Sequence, residues 1–171
     1  GQPIREDGPA HHIATKSGTP TMGGLLILAA LTLSTLLWAR RDNPYVWLFL
    51  GTTVAFGLIG FADDWAKVSR NSTKGVSGKM RLGVGFVIAG IAAYVAILIH
   101  PDELSAQLAV PVFKDVLFNL GWVFIPFAMI VIVGSANAVN LTDGLDGLAI
   151  MPVMHAAGTL GVIAYAVGRV D

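Results

Sequence analysis

The chain has no cysteine and few charges. Without cysteine there can be no disulfide framework and no thiolate metal site, although compartment stays open. Charged residues make up 13% of the 171 residues, against about 25% in soluble domains. Net charge is zero, so no bulk electrostatic argument points to nucleic acid. There is also no internal repeat and no linker long enough to separate domains. In place of charge there is 54% hydrophobic residues, 20 glycines and a mean hydropathy of +0.69. That composition suits a multi-spanning membrane protein better than a soluble helical core.

Run length separates the two. Five apolar runs, at residues 21–39, 46–62, 82–99, 118–136 and 148–167, approach the roughly 20 residues needed to cross about 30 Å of hydrocarbon. None shows the polar face at helical period that a soluble bundle requires. The expectation is one all-α, polytopic membrane domain over residues 1–171, a helical bundle with five transmembrane helices. Its segment near 106–116, broken by Pro111 and charged at Lys114 and Asp115, reads as a short hairpin outside the membrane.

Five crossings place residues 1–20, 63–81 and 137–147 on one face. That face holds Arg5, Lys16, Lys67, Arg70, Lys74, Lys79 and Arg81, against Arg40, Arg41, Lys114 and Arg169 on the other. The positive-inside rule makes the first face cytoplasmic. The stretches "GTPTMGG", "GFADDWAK" and "NAVNLTDGLDGLA" therefore meet at one aqueous surface, where carboxylates escape most of the ~2.5–3.5 kcal/mol that an Asp costs at mid-membrane.

Asp63 and Asp64 close the second run, at a helix end whose dipole repels them, and so call for a cation. If the helix continues, Lys67 shares a face with Asp63 while Asp64 points about 100° away. Mg²⁺ suits such a pair, since it takes one or two carboxylates and completes its shell with water and phosphate oxygens. The plain alternative is a helix-end anchor in headgroup water. Thr21 reads as the N-cap of the first crossing, with Lys16 near enough to assist anion binding; alone, that pattern is an ordinary cap. Capping by Asp146 explains one acid of the third motif, but not Asn137, Asn140, Asp143 and Asp146 within ten residues, which suggest a polar ligand such as a base or sugar. The loop "KVSRNSTKGVSGKMR" brings Lys67 and Lys79 beside the acids, where they could hold phosphates or simply contact anionic lipid. His155 reads as a polar group for helix packing.

In this order the motifs closely resemble the phospho-N-acetylmuramoyl-pentapeptide transferase (MraY translocase) family, over essentially the whole chain. The resemblance implies transfer of phospho-MurNAc-pentapeptide from UDP-MurNAc-pentapeptide to undecaprenyl phosphate, giving lipid I and UMP. It implies Mg²⁺ and a site on the cytoplasmic face of the bacterial inner membrane, and it leaves room for a homodimer. Asp63 and Asp64 match the family's acid pair, one of which is thought to deprotonate the lipid phosphate. Lys16 and Thr21 match positions lining the nucleotide and phosphate site, and Asn140, Asp143 and Asp146 match the uridine-side pocket.

Family members have ten crossings, with a third metal-binding aspartate and a His-rich loop that fall beyond Asp171. The expectation is accordingly a piece of a longer enzyme, inactive alone. Two rivals remain. A related transferase of N-acetylglucosamine-1-phosphate would share the acid pair. A secondary transporter would hold its acids near mid-membrane in broken helices.

Overall fold

The computed structural model describes residues 22–70, 75–101, 105–109, 117–142 and 148–168. Among them stand five α-helices: α1 (Gly23–Trp38), α2 (Pro44–Ser69), α3 (Gly78–Ile99), α4 (Phe124–Thr142) and α5 (Ile150–Val167). Strands β1 (Gln107–Ala109) and β2 (Leu117–Asn119) pair antiparallel, Leu108 opposite Phe118. The chain divides into two compact units, Gly1–Ile130 and Val131–Asp171. The all-α membrane architecture is as expected. Four helical stretches are long and apolar enough to cross a membrane, and α1, at 16 residues, is apolar but shorter.

Several boundaries differ from the apolar runs. The second crossing does not stop at residue 62, because α2 continues to Ser69 and carries the acid pair inside the helix. The fourth does not start at 118. Leu117–Asn119 is a strand, and Gly121, at φ +48°, turns the chain through a left-handed conformation before α4 begins. Asn119 fixes that turn by accepting a hydrogen bond from the Gly121 amide at 2.8 Å. The hairpin thus extends beyond residue 116, its strands reaching from Gln107 to Asn119.

Local chemistry explains the helix starts. Asn43 caps α2 by accepting from Tyr45 N at 2.9 Å, and Pro44 occupies the first turn, where no amide partner is needed. Ser77 caps α3 through Met80 N. The first residue before α1 is Met22 rather than the expected Thr21. Met22 has φ +69° and makes no side-chain cap, and Thr21 lies outside the described residues. Within α2, Thr52 and Thr53 return their hydroxyls to Leu48 O and Phe49 O, so neither is left bare in lipid.

Packing in the first unit relies on small residues. Gly85, Ala89 and Ala93 recur every four residues on α3 and are buried together with Ala92, while large apolar side chains such as Leu26, Val87 and Leu98 stand exposed. This inversion suits helices in lipid, where small residues let backbones approach and large ones meet hydrocarbon. Gly57 of α2 plays the same part against Leu28 of α1. At one end of the α2–α3 pair, Tyr45 Oη and His100 Nδ1 lie 2.5 Å apart, with Trp47 bonded to Arg41 O nearby.

Since Ala89 has no exposed surface, Ala89→Leu is expected to lower stability by about 1–3 kcal/mol through overpacking. Val87→Leu, on the lipid-facing side, should be near neutral. Thermal unfolding in detergent compares the two.

Candidate functional site

The other end of the α2–α3 pair holds the acids. Asp63 lies 18 residues beyond Tyr45, a rise of about 27 Å, which is close to the ~30 Å of a hydrocarbon core. Phe61 and Trp65 stack beside the acids with ring centroids 6.0 Å apart and Trp65 exposed, as suits an aromatic at the membrane–water boundary.

The two aspartates have different surroundings. Asp63 is buried and fully engaged. Its Oδ1 accepts from Val76 N at 2.8 Å, and its Oδ2 faces Lys67 Nζ at 2.7 Å and Arg81 Nη1 at 3.3 Å. Gly75 lies so close that a Cβ there would overlap the Asp63 carboxylate and crowd the Lys67 side chain, so a larger residue at this position would force the ion pair to shift. Neither α2 nor α3 has an acid in its first turn. Asp63 supplies one from outside to the N-terminal end of α3, where its charge meets the positive end of the dipole. Lys67, in the last turn of α2, offsets the negative end there.

Asp64 stays accessible. Its side chain is 38% exposed against 9% for Asp63, and its one ion pair among the described residues is to Lys67 at 3.3 Å. It stands at an apolar cleft of about 730 Å³ between α1 and α2, lined by Met22, Leu25, Leu28, Val54 and Phe61 among others. An open carboxylate beside an ammonium and a greasy cleft can take a proton or a hydrated cation near a lipid-borne group. Mg²⁺ fits Asp64 on these terms, since water and phosphate oxygens can fill the rest of its shell. Among the described residues no three His, Asp or Glu side chains gather to complete a protein-only site.

Of the residues singled out from the sequence, the structure brings Asp63, Asp64 and Lys67 together. Lys79 is exposed in the first turn of α3 and joins no ion pair among the described residues. Asn140 is exposed in the last turn of α4, in the second unit, and Asn137 bonds back to Val133 O of its own helix. Lys16, Thr21, Asp143 and Asp146 lie outside the described residues. The position preceding α5 is Ala149, which offers no capping side chain. His155 is exposed and contacts Met151 O one turn earlier. Arg81, Val76 N and Gly75 belong to the cluster but did not stand out in the sequence. Arg81 reads there as one of five basic residues in the connection, and only the antiparallel return of α3 brings it to Asp63.

The model of glycosyl transferase family 4 matches residues 46–171. The chain belongs to that family. Residues 16–28 also match signature 1 of phospho-N-acetylmuramoyl-pentapeptide-transferase. Over all 171 residues the chain is 75% identical to the phospho-N-acetylmuramoyl-pentapeptide-transferase of Dinoroseobacter shibae, 72% to that of a Ruegeria species and 71% to that of Ruegeria pomeroyi. It spans 47% of the length of each. The resemblance read from the motifs is borne out, and with it membership of a transferase family of integral membrane proteins.

The unequal acids predict unequal stability effects. Asp63→Asn should destabilise by about 1–3 kcal/mol, because it leaves Lys67 and Arg81 without their shared partner. Asp64→Asn should change stability by less than about 1 kcal/mol, as for an exposed pair. Gly75→Ala should behave like Asp63→Asn. Thermal scans of the three variants test the order.

Proposed function

We propose that the protein carrying this chain transfers phospho-MurNAc-pentapeptide from UDP-MurNAc-pentapeptide to undecaprenyl phosphate, giving lipid I and UMP, on the cytoplasmic face of a bacterial inner membrane. The observation that carries this reading is the accessible Asp64, paired with Lys67 at membrane-boundary depth and opening on an apolar cleft. Relatives at 71–75% identity, each named a phospho-N-acetylmuramoyl-pentapeptide-transferase, support the group transferred.

The chemistry follows from that placement. An oxygen of the lipid phosphate attacks the sugar-linked phosphorus of the nucleotide, the bond from that phosphorus to the bridging oxygen breaks, and UMP leaves with the electron pair. Such transfers depend chiefly on positioning and on neutralising phosphate charge. Asp64 takes the proton from the lipid phosphate, and Lys67 sits one contact away to meet phosphate oxygens. Mg²⁺, held at Asp64 and at a further carboxylate outside this chain, would draw off charge from the diphosphate. Lys16 and Lys79 would add phosphate contacts, and Asn140, Asp143 and Asp146 would take the uridine. A transporter fits less well, because α2 runs unbroken through the acid pair.

In the full-length protein, Asp64→Asn should reduce metal-dependent UMP release by about 100-fold or more, since Asn keeps the volume but can neither take the proton nor hold the metal. Near-normal release would reduce the site to a helix anchor. The 171-residue chain alone should insert in membranes, because each helix satisfies its own backbone, yet release no UMP. Orientation has a separate test. On intact cells an impermeant thiol reagent should label Gln107→Cys and spare Ser72→Cys.

A further inference from the structure

We infer that Arg81 is a positioning residue for Asp64, acting through Asp63 and Lys67 from the neighbouring helix. The inference rests on the reading above, in which Asp64 is the reacting carboxylate. Its basis is how charge and contacts are shared in the cluster. Among the described residues the cluster has two carboxylates and two cations, and of these only Lys67 touches both carboxylates, at 2.7 Å to Asp63 and 3.3 Å to Asp64. Arg81 meets Asp63 alone, on the same Oδ2 that Lys67 uses, at 3.3 Å.

With Arg81 in place, Asp63 is satisfied from α3 as well as from its own helix, and the Lys67 ammonium can be shared with Asp64. Take Arg81 away and, among the described residues, a single ammonium is left to serve two carboxylates. The buried one, which has the greater need, would draw it away from Asp64. Arg81 on α3 and the Val76 amide just before it also grip the Asp63 carboxylate, and so set the rotation of α2 against α3. Asp64 is the next residue of the same helix, about 100° round, and its direction into the cleft follows from that rotation. Arg81 does this without reaching the cleft, whose lining includes Asp64 but not Arg81.

The test uses the full-length protein with Arg81→Gln and Arg81→Lys. Turnover with Arg81→Gln should fall by about 10–100-fold, the scale of a catalytic group displaced by about an ångström. KM for both substrates should stay within about threefold, since Arg81 itself lies outside the cleft and Lys67 remains in the cluster. Arg81→Lys should recover most of the turnover, because only one N–H reaches Oδ2. In an Asp63→Asn background, Arg81→Gln should add little further loss. A tenfold rise in KM with turnover intact would make Arg81 a substrate contact and overturn the inference. So would losses that multiply in the double variant, or unchanged turnover per folded molecule.

A second readout needs no turnover. Labelling of the Asp64 carboxyl by an apolar carbodiimide, followed by mass spectrometry, reports whether Lys67 still covers it. It should rise several-fold in Arg81→Gln and return to the wild-type rate in Arg81→Lys. Unchanged labelling overturns the inference whatever the kinetics show. If labelling responds while the unaltered protein releases no UMP, the positioning stands and the transferase reading falls.

Discussion

The Asp63 carboxylate, buried near the end of α2, constrains everything around it. A charge placed there must be matched, and the matching groups come from three places: Lys67 on the same helix, Val76 in the connection and Arg81 on the next helix. Meeting that demand ties the last turns of α2 to Val76 and to the first turn of α3. A buried ion pair of this kind adds little net stability but strongly penalises any arrangement that leaves the charge alone. It therefore favours one register between α2 and α3, whose contact face on α3 is built on glycine and alanine.

This explains why the two adjacent acids differ so much. In an α-helix neighbouring side chains diverge by about 100°, so only one of a pair can face the next helix. Asp63 does so and becomes part of the framework. Asp64 is left at the cleft, where Lys67 is its ion-pair partner among the described residues and its carboxylate stays accessible. A DD sequence at a helix end is thus a means of fixing one carboxylate with its neighbour.

The apolar runs made most of the fold legible, because no alternative accommodates five such stretches. Their ends were harder to read. Apolarity stops at residue 62, but the helix does not, since Lys67 and Arg81 supply what the two acids lack. Leu117 and Phe118 continue the apolar run of α4 in composition, yet pair as a strand, and hydrophobicity alone cannot tell a strand from a helix start. The acid pair and Lys67 were legible because helical spacing relates them. Arg81 was not, because its partner lies 18 residues away across a turn, and no local pattern encodes that contact.

Helix α2 has a further consequence. Its 26 residues span about 39 Å, some 9 Å more than the hydrocarbon it crosses. The surplus lies at the end that carries Asp64 and Lys67. Whether those groups sit level with lipid phosphates thus depends on the membrane as well as the protein. A thicker bilayer would submerge the acid, and a thinner one would lift it past the headgroups, unless the helix tilts to compensate. The depth of Asp64 is gauged by a rigid rod against a soft sheet, which makes bilayer thickness and lipid composition determinants of where that acid meets water.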